Sequence, residues 1–238
     1  MTQVAESSVD RISRRQVDKF AERRAQLAES ALLTLSELGY ARTSLREIAQ
    51  NSEFSHGVLH YYFRDKVDLI TYCVREYKAR CVTRYDQIAA TATTADELRI
   101  GFAAGLAQTM AEDAHLHRLW YDLRGQSMFE ASFREDVAAI DASLERMIWR
   151  IVSQYSELTG SAIAVSPPTA YAIFDGLFQH GLVRHLFGHA EAREDLRVTV
   201  AQLLPTMVVS TSSVRAAGDT ATNDNATNDR ATNDRATH

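Results

Sequence analysis

Residues Arg42 to Lys66 constrain the fold most, because two short helical patterns lie there with about one turn of chain between them. The first opens with Ser44 and Glu47 in the spacing of a capping box, in which each side chain satisfies a free backbone N–H group. Leu45 and the apolar residues three and four positions further on form one face, and a polar run follows. The sequence predicts a helix from Leu45 and a turn at about residues 51–54.

The second pattern starts after Ser55, a good N-cap, and has the small Gly57 in its first turn, where a backbone can come close to a partner. Leu59 and Phe63 are spaced to point inward. The other positions carry mainly stacking and hydrogen-bonding groups: His56, Val58, His60, Tyr61 and Tyr62. This set is typical of the second helix of a helix-turn-helix, which predicts double-stranded DNA as the partner. The alternative is a helical hairpin whose aromatic residues fill a core.

A longer motif contains both patterns and resembles the TetR family of bacterial repressors. It comprises Gly39-Tyr40, Thr43-Ser44, Ile48-Ala49 and Ser55-x-Gly57-x-Leu59-x-Tyr61-Tyr62-Phe63-x-x-Lys66-x-x-Leu69. The resemblance implies an all-α fold of about nine helices. Three N-terminal helices would bind DNA, and a larger helical domain would bind a small-molecule effector and form a homodimer. It also implies a repressor that binds a palindromic operator and is released by its effector, with no cofactor, no metal and no enzymatic activity.

The resemblance also assigns DNA contacts residue by residue. It places Thr43 and Ser44 near phosphates, His56, Gly57 and Val58 at base edges, and Tyr61, Tyr62 and Lys66 on the DNA backbone, beside the N-cap Ser55. One position departs from the family pattern. Members often carry tyrosine directly after the leucine of the second helix, whereas this chain has His60, so that phosphate contact is weaker, lost or sensitive to pH.

Composition agrees with an all-α protein. The chain has 238 residues and 45% hydrophobic content, with only ten glycines and three prolines, and apolar residues recur at helical spacing. Cys73 and Cys81 lie eight positions apart on one predicted helix, too far for a disulfide. The sequence shows neither an apolar run of about 18 residues nor a signal peptide, so we expect a cytoplasmic protein without a membrane span.

Charge is distributed unevenly along the chain. The formal net charge is −5, yet residues 1–66 carry ten Lys or Arg against nine Asp or Glu. The basic residues concentrate beside the helix-turn-helix: Arg11, Arg14, Arg15, Lys19, Arg23 and Arg24. Such an arm would neutralise phosphates and make DNA binding salt-dependent. For any single arginine, a solvated helix face with charge pairs is an equally good interpretation.

The resemblance implies a DNA-binding domain at residues 1–66 and an effector-binding and dimerisation domain at 67–209, and the composition predicts a disordered tail at 210–238. Capping and stop signals predict helices at about Arg14 to Leu38, Val67 to Ile88, from Thr94 to Met110, His115 to Gly125, Phe129 to Leu158, Pro167 to Phe187 and Glu191 to Val208, with Pro205 disturbing the last. The tail repeats Thr-Asn-Asp in five-residue units and lacks large apolar residues.

The helix from Pro167 is apolar on more than one side and therefore needs two partners. Its small residues would let another helix pack at close range. The resemblance implies that the second partner is the same helix of a symmetry-related copy. The candidate dimer contacts are Ala172, Gly176, Gln179 and Val183. The alternative is a central helix of a monomer.

The predicted helix from Val67 to Ile88 would be a rigid connector between the two functions. Between this connector helix and the predicted dimer helix from Pro167, aromatic and polar residues have the composition of a small-molecule pocket. The candidates are Trp120, Tyr121, Arg124, Phe129, Phe133, Trp149, Phe174, Asp175 and Phe178. A plain core would draw on the same residue types.

Two rival functions remain from the residues alone. A helical metal-dependent enzyme would use Glu112 with His115, and Asp113 with His117, as ligand pairs on one helix, but no third strong ligand accompanies them. A protein-only adaptor would leave the basic arm and the segment from Ser55 to Lys66 without a purpose.

Overall fold

The computed structural model describes residues 8–39 and 42–210 and is almost entirely helical in these ranges. The α-helices there are α1 (Ser8–Leu38), α2 (Leu45–Gln50), α3 (His56–Tyr62), α4 (Lys66–Thr91), α5 (Ala95–Glu112), α6 (Ala114–Gln126), α7 (Arg134–Thr159), α8 (Pro167–Leu186) and α9 (Ala192–Leu203). The all-α prediction, with about nine helices, is confirmed. The predicted disordered tail from residue 211, the first seven residues and Tyr40 of the motif lie outside the described residues.

Local signals set most helix ends. Gly39 has φ +73° and ends α1, a conformation that glycine adopts without steric cost. At α5, Thr94 Oγ1 accepts the Glu97 N–H and a Glu97 carboxylate oxygen accepts the Thr94 N–H, which forms a capping box. Ser166 caps α8 through the Thr169 N–H, and two prolines open that helix. These boundaries agree with the sequence predictions.

Three predicted boundaries are wrong. The first helix, expected from about Arg14, begins at Ser8. The helix expected from Phe129 begins at Arg134, after a 3₁₀ turn at Ala131–Phe133. The helix expected to reach Val208 ends at Leu203, because proline in the following 3₁₀ turn, Leu204–Met207, has no N–H to continue the α-helical ladder.

The chain then forms a two-residue strand, β2 (Val208–Val209), which pairs antiparallel with β1 (Ala162–Ile163). No sequence signal predicted this pair.

By internal contacts the chain divides into two compact units, which we call unit 1 and unit 2. Unit 1 combines the residues up to Val82 with Met110–Ser143, and unit 2 combines Thr83–Thr109 with the residues from Leu144 onward. Helices α4, α5 and α7 therefore contribute residues to both units. This division follows contacts, whereas the predicted division at residue 66 follows function, and the latter stays a prediction.

Each unit has its own core. In unit 1 the fully buried large side chains come from α1 to α4 and α6, with Phe133, and they include Leu27, Leu35, Ile48, Leu59, Phe63, Leu69, Ile70 and Trp120. In unit 2, Phe102 of α5 and Phe174 of α8 meet edge to face with ring centroids 5.5 Å apart. Unit 1 therefore holds the helix-turn-helix on a packed base.

Candidate nucleic-acid interface

Helices α2 and α3 form the predicted helix-turn-helix. Ser44 Oγ accepts the Glu47 N–H at 3.2 Å, and a Glu47 carboxylate oxygen accepts the Ser44 N–H at 2.7 Å, which completes the capping box of α2. Ser55 Oγ accepts the Val58 N–H at 3.3 Å and caps α3. Leu59 and Phe63 are buried as predicted, so the inward face of α3 is fixed.

The outward face of α3 carries most of the predicted DNA contacts. His56, Gly57, His60 and Tyr61 are exposed, and Val58 and Tyr62 are half-buried. Tyr61 is 72% exposed although it is a large aromatic residue. The rings of His56 and His60, one turn apart, meet edge to face at 4.4 Å. The helix therefore presents imidazole, phenol and bare backbone on one surface, the groups that bind base edges and phosphates.

The serine and threonine residues among the predicted DNA contacts occupy different environments. Ser44 and Ser55 are exposed, and each uses its oxygen as a cap acceptor. Thr43 is 2% exposed, and its hydroxyl donates to the Gly39 carbonyl at 2.7 Å. The structure therefore places the Thr43 side chain apart from the exposed set, where it joins the end of α1 to the start of α2.

Lys66 is the first residue of α4 and is half-buried. Next to it, Asp68 accepts a hydrogen bond of 2.6 Å from Arg24 of α1, and its other oxygen accepts the Arg64 N–H. The Arg24 guanidinium also lies over the rings of Phe63 and Tyr72, at 4.8 and 4.6 Å from their centroids. This arginine connects α1, the end of α3 and α4.

The side chains of the predicted basic arm lie in different environments. Arg24 is committed to Asp68, and Arg23 lies over the Phe54 ring at 4.7 Å and donates to Gln26. Lys19 is exposed. The side chains of Arg11, Arg14 and Arg15 lie outside the described part of the molecule, although the backbone there belongs to α1.

Sequence reasoning missed Phe20 and Phe54. Phe54, in the turn, is buried beneath Arg23. Phe20 of α1 contacts both Tyr62 and Tyr61 of α3, with ring centroids 4.7 and 6.1 Å apart. A signal for Phe20 existed, because it lies seven residues before Leu27 and so continues the apolar face of α1 among charged neighbours.

Unit 1 also contains a buried polar cluster, which joins Tyr77 and Lys78 of α4 to Asp113 and His117 at the start of α6. The Tyr77 hydroxyl lies 3.0 Å from both Asp113 Oδ2 and His117 Nε2. Lys78 Nζ lies 3.2 Å from His117 Nδ1 and 5.4 Å from the centre of the Trp120 ring. Because an ammonium only donates, Nδ1 accepts, Nε2 carries the proton towards Tyr77, and Tyr77 donates to Asp113.

Burial dominates the acid–base chemistry around this cluster. Loss of solvent raises the pKa of Tyr77 well above its usual value, and the nearby Cys81 and Asp113 raise it further. Burial likewise raises the pKa of the Cys73 thiol, whose S–H donates to the Ala28 carbonyl, and that of Tyr72. The indole Nε1 of Trp120 is buried without a hydrogen-bond partner among the described residues.

The nine candidate effector residues fall into both units. In unit 1, Trp120 and Phe133 are fully buried, Tyr121 is half-buried, and Arg124 pairs with Asp141 at 3.3 Å. Phe129 is 82% exposed in the loop before α7. The unit 2 candidates are Trp149 and Asp175, which are half-buried, and Phe174 and Phe178, which are buried.

The four candidate dimer residues all lie on the exposed side of α8. Ala172, Gly176, Gln179 and Val183 follow one another at intervals of four, three and four residues, so they form one helical face. Leu186 and Phe187 continue the exposed apolar surface. On the inner side of α8, Arg184 pairs with Asp195 of α9 at 2.6 Å.

Comparison with known proteins agrees with this geometry. A family model described as bacterial regulatory proteins, tetR family, matches residues 27–73, from the second half of α1 into α4. The regulator BetI of Burkholderia thailandensis is 26% identical over 162 residues, which is 67% of this chain and 81% of BetI. BetI of Burkholderia mallei is 31% identical over 114 residues, 47% of this chain and 58% of that protein. The chain belongs to the TetR family.

Solved structures of regulators share the fold of this TetR-family chain. FadR of Bacillus subtilis, solved with stearoyl-CoA, superposes with a TM-score of 0.64 at 17% identity and covers 76% of this chain and 96% of FadR. A regulator of Saccharomonospora viridis, solved with choline, superposes with a TM-score of 0.66 at 16% identity. The match covers 79% of this chain and 98% of that regulator.

Membership in the TetR family makes the chain a DNA-binding transcriptional regulator and not an enzyme. The geometry of the rival metal site is also wrong, because Glu112 ends α5 while His115 lies in α6, so they do not share one helix. His117 is committed to the buried cluster. Within residues 8–39 and 42–210, the structure shows no grouping of three or more metal-ligating side chains and no helix long and apolar enough to cross a membrane.

Proposed function

We propose that this TetR-family regulator is a cytoplasmic repressor that binds a palindromic operator as a homodimer and releases it when a small molecule binds. The exposed surface of α3 supports the DNA-binding role. It presents His56, Gly57 and Val58 at the N-terminal end, where a recognition helix meets base edges. Phosphate contacts would come from residues between the N-cap of α2 and the first residue of α4: Ser44, Ser55, His60, Tyr61, Tyr62 and Lys66.

The test begins with duplexes selected by the protein from a random library and from its own upstream intergenic DNA. We expect tight binding that weakens steeply with salt, and loss of selectivity in the double variant His56→Ala/Tyr61→Ala. His115→Ala, at an exposed histidine of α6, is the matched control and should bind as the wild type does. Failure to select any duplex would contradict the proposal.

The exposed face of α8 supports the homodimer. Exposed apolar side chains there, with the small Ala172 and Gly176, suit a helix of a second copy packing at close range. A two-fold dimer would also present two recognition helices to successive major grooves about 34–36 Å apart.

Gly176 offers a clean test of the dimer. A Cβ built there meets nothing within 4 Å, so Gly176→Arg fits the protomer but obstructs a partner on that face. Gly125→Arg, at an equally open glycine of α6, is the control. Light scattering should show a monomer for Gly176→Arg and a dimer for Gly125→Arg; a dimer in both variants would overturn the assignment of this face.

Two features of unit 1 support an effector site beside Trp120 and indicate its chemistry. The Trp120 N–H is a buried donor without a hydrogen-bond partner among the described residues, a costly arrangement that an effector oxygen would relieve. The Lys78 ammonium already lies over the Trp120 ring, where it would repel a cationic effector and attract an anionic one. Tyr121, Arg124 and Phe133 complete this candidate set, and we assign it an effector with a carboxylate or another acceptor group.

Three probes with the same alkyl chain test this assignment: decanoate, decanol and decyltrimethylammonium. We expect decanoate to release the selected duplex most effectively, and Trp120→Phe to reduce that release. Phe178→Ala, from the unit 2 candidates, and Phe129→Ala, at the exposed position, are compared in the same assay. Release by the ammonium alone, or equal release from wild type and Trp120→Phe, would contradict the assignment.

A further inference from the structure

Three aromatic rings from two helices meet beside the recognition surface. Phe20 of α1 lies 4.7 Å from Tyr62 at an interplanar angle of 33°, and 6.1 Å from Tyr61 at 64°. Tyr61 and Tyr62 themselves lie 5.0 Å apart, nearly perpendicular. We call these three residues the aromatic triad. Phe20 is 41% exposed, so the triad lies at the surface and is not part of the buried core.

The two tyrosines do not face each other by helix geometry alone. Consecutive residues on an α-helix diverge by about 100°, and neighbours on a helix surface are three or four positions apart. In this structure the rings of Tyr61 and Tyr62 nevertheless meet, and the ring of Phe20 lies against both. A side chain from a different helix therefore gathers two diverging phenols onto one surface.

The position of Phe20 relative to α3 is held by its neighbours. Arg23 lies over Phe54 in the turn before α3, and Arg24 lies over Phe63 directly after it. Successive residues of α1 thus contact both ends of the recognition helix. Because these contacts fix the register between α1 and α3, Phe20 can orient the tyrosines and does not simply move with them.

We propose that Phe20 is a positioning residue for DNA-backbone binding, which holds the hydroxyls of Tyr61 and Tyr62 for phosphate oxygens. This inference rests on the proposed contacts of those tyrosines. An exposed phenol has several rotamers, and fixing one of them when DNA binds costs conformational entropy. Phe20 restricts the rotamers of both tyrosines in the free protein, so less entropy is lost on binding. Phe20 itself need not touch DNA.

Phosphate contacts give this role a distinctive signature. They carry no sequence information, so loss of Phe20 should weaken binding to a selected duplex and to a random duplex by the same factor. A tyrosine hydroxyl is uncharged and displaces no counterion by charge, so the slope of affinity against salt should stay unchanged. Loss of a basic contact would instead reduce that slope.

The experiment compares Phe20→Ala, Phe20→Leu and Phe20→Tyr with Val17→Ala. Val17 is the matched control because it is exposed on α1, three residues before Phe20. Dissociation constants are measured by fluorescence anisotropy on both duplexes over a range of salt concentrations. We expect Phe20→Ala to weaken binding about tenfold on each duplex, as two aromatic contacts are lost. The dissociation constant of Phe20→Leu should lie between those of the wild type and Phe20→Ala. Phe20→Tyr should retain binding close to that of the wild type, and Val17→Ala should match the wild type.

A double-mutant cycle separates positioning from general destabilisation. In the Tyr61→Ala/Tyr62→Ala background, Phe20→Ala should have no further effect on affinity, and thermal unfolding should confirm that each variant is folded. An undiminished effect of Phe20→Ala in that background would overturn the proposal. If the tyrosine variant loses affinity while Phe20→Ala does not, the proposed function stands and the role of Phe20 fails. If neither change matters, the tyrosine contacts and the role of Phe20 both fail.

Discussion

Arg24 of α1 donates a hydrogen bond of 2.6 Å to Asp68 of α4, although 44 residues separate them in the sequence. Both side chains are largely withdrawn from solvent, and the guanidinium also lies over Phe63 and Tyr72. A planar cation that pairs with a carboxylate at its edge and with aromatic rings on its face uses both recognition modes of arginine. The pair thus fastens the helix-turn-helix to the connector helix α4.

We expect Arg24→Ala to lower the free energy of unfolding by about 2 kcal/mol, because it removes the ion pair and both ring contacts and leaves Asp68 poorly compensated. Arg24→Lys keeps the charge but loses the planar stacking, so it should cost about half as much. Lys19→Ala, at an exposed charge of the same helix, should stay within about 0.5 kcal/mol of the wild type. Urea unfolding of the DNA-free protein measures all three, and equal values for Arg24→Ala and Lys19→Ala would contradict this account.

Alkaline pH should destabilise the protein through Tyr77 and Cys73. Burial raises the pKa of both groups in the folded state, so above their ordinary pKa values, 10.0 and 9.0, the unfolded chain loses protons that the folded protein keeps. The stability that the two groups contribute is complete below about pH 9. The free energy of unfolding then falls by about 1.4 kcal/mol per pH unit for each group, for Cys73 above about pH 9 and for Tyr77 above about pH 10.

The variants Cys73→Ala and Tyr77→Phe separate the two contributions to this alkaline slope. Each should flatten the decline, and the double variant should flatten it most. Tyr77→Phe should also be less stable at neutral pH, because it breaks the hydrogen bonds to Asp113 and His117. Urea midpoints measured from pH 7 to pH 11 test this, and parallel profiles for wild type and double variant would be incompatible with it.

Thr43 and Ser44 are adjacent but should respond differently to loss of the hydroxyl. Thr43→Val removes a buried hydrogen bond to Gly39, so we expect a stability loss of about 1 kcal/mol and unchanged DNA affinity in the folded protein. Ser44 uses a lone pair for the cap, and its exposed hydroxyl can still donate to a phosphate. Ser44→Ala should therefore lower stability by about 1 kcal/mol and also weaken DNA binding. Equal effects of both changes on DNA affinity would argue against this distinction.

The features that the sequence predicted well are local. The capping box of Ser44 and Glu47, the N-cap Ser55 and the stop at Gly39 each act within four residues, and each appears in the structure as predicted. The exposed and buried faces of α3 followed from spacing, because Leu59 and Phe63 lie one turn apart.

The features that the sequence did not predict depend on residues far apart in the chain. Arg24 has no sequence signal that selects Asp68, and Val208 has none that selects Ile163 of β1. Its spacing from Asp113 makes His117 a candidate metal ligand, but α4 supplies Tyr77 and Lys78 to both of its ring nitrogens. Phe20 was overlooked because its partners belong to α3. Periodicity identifies a buried face, whereas the partner across that face is set by tertiary packing.

Gly57 gives the sharpest test of whether the surface of α3 meets DNA. A Cβ at this position meets nothing within 4 Å in the free protein, so Gly57→Ala should keep or slightly raise stability, by at most about 1 kcal/mol. If a base edge or phosphate approaches the backbone there, the added methyl group must displace it, and affinity for the selected duplex should fall at least about tenfold, equivalent to about 1.4 kcal/mol. Gly125→Ala, at an open glycine of α6, controls for the methyl group itself. Gly39→Ala should show the opposite behaviour, a loss of stability of about 1–2 kcal/mol because its φ is +73°. A Gly57→Ala protein that binds DNA as tightly as the wild type would remove this residue from the interface.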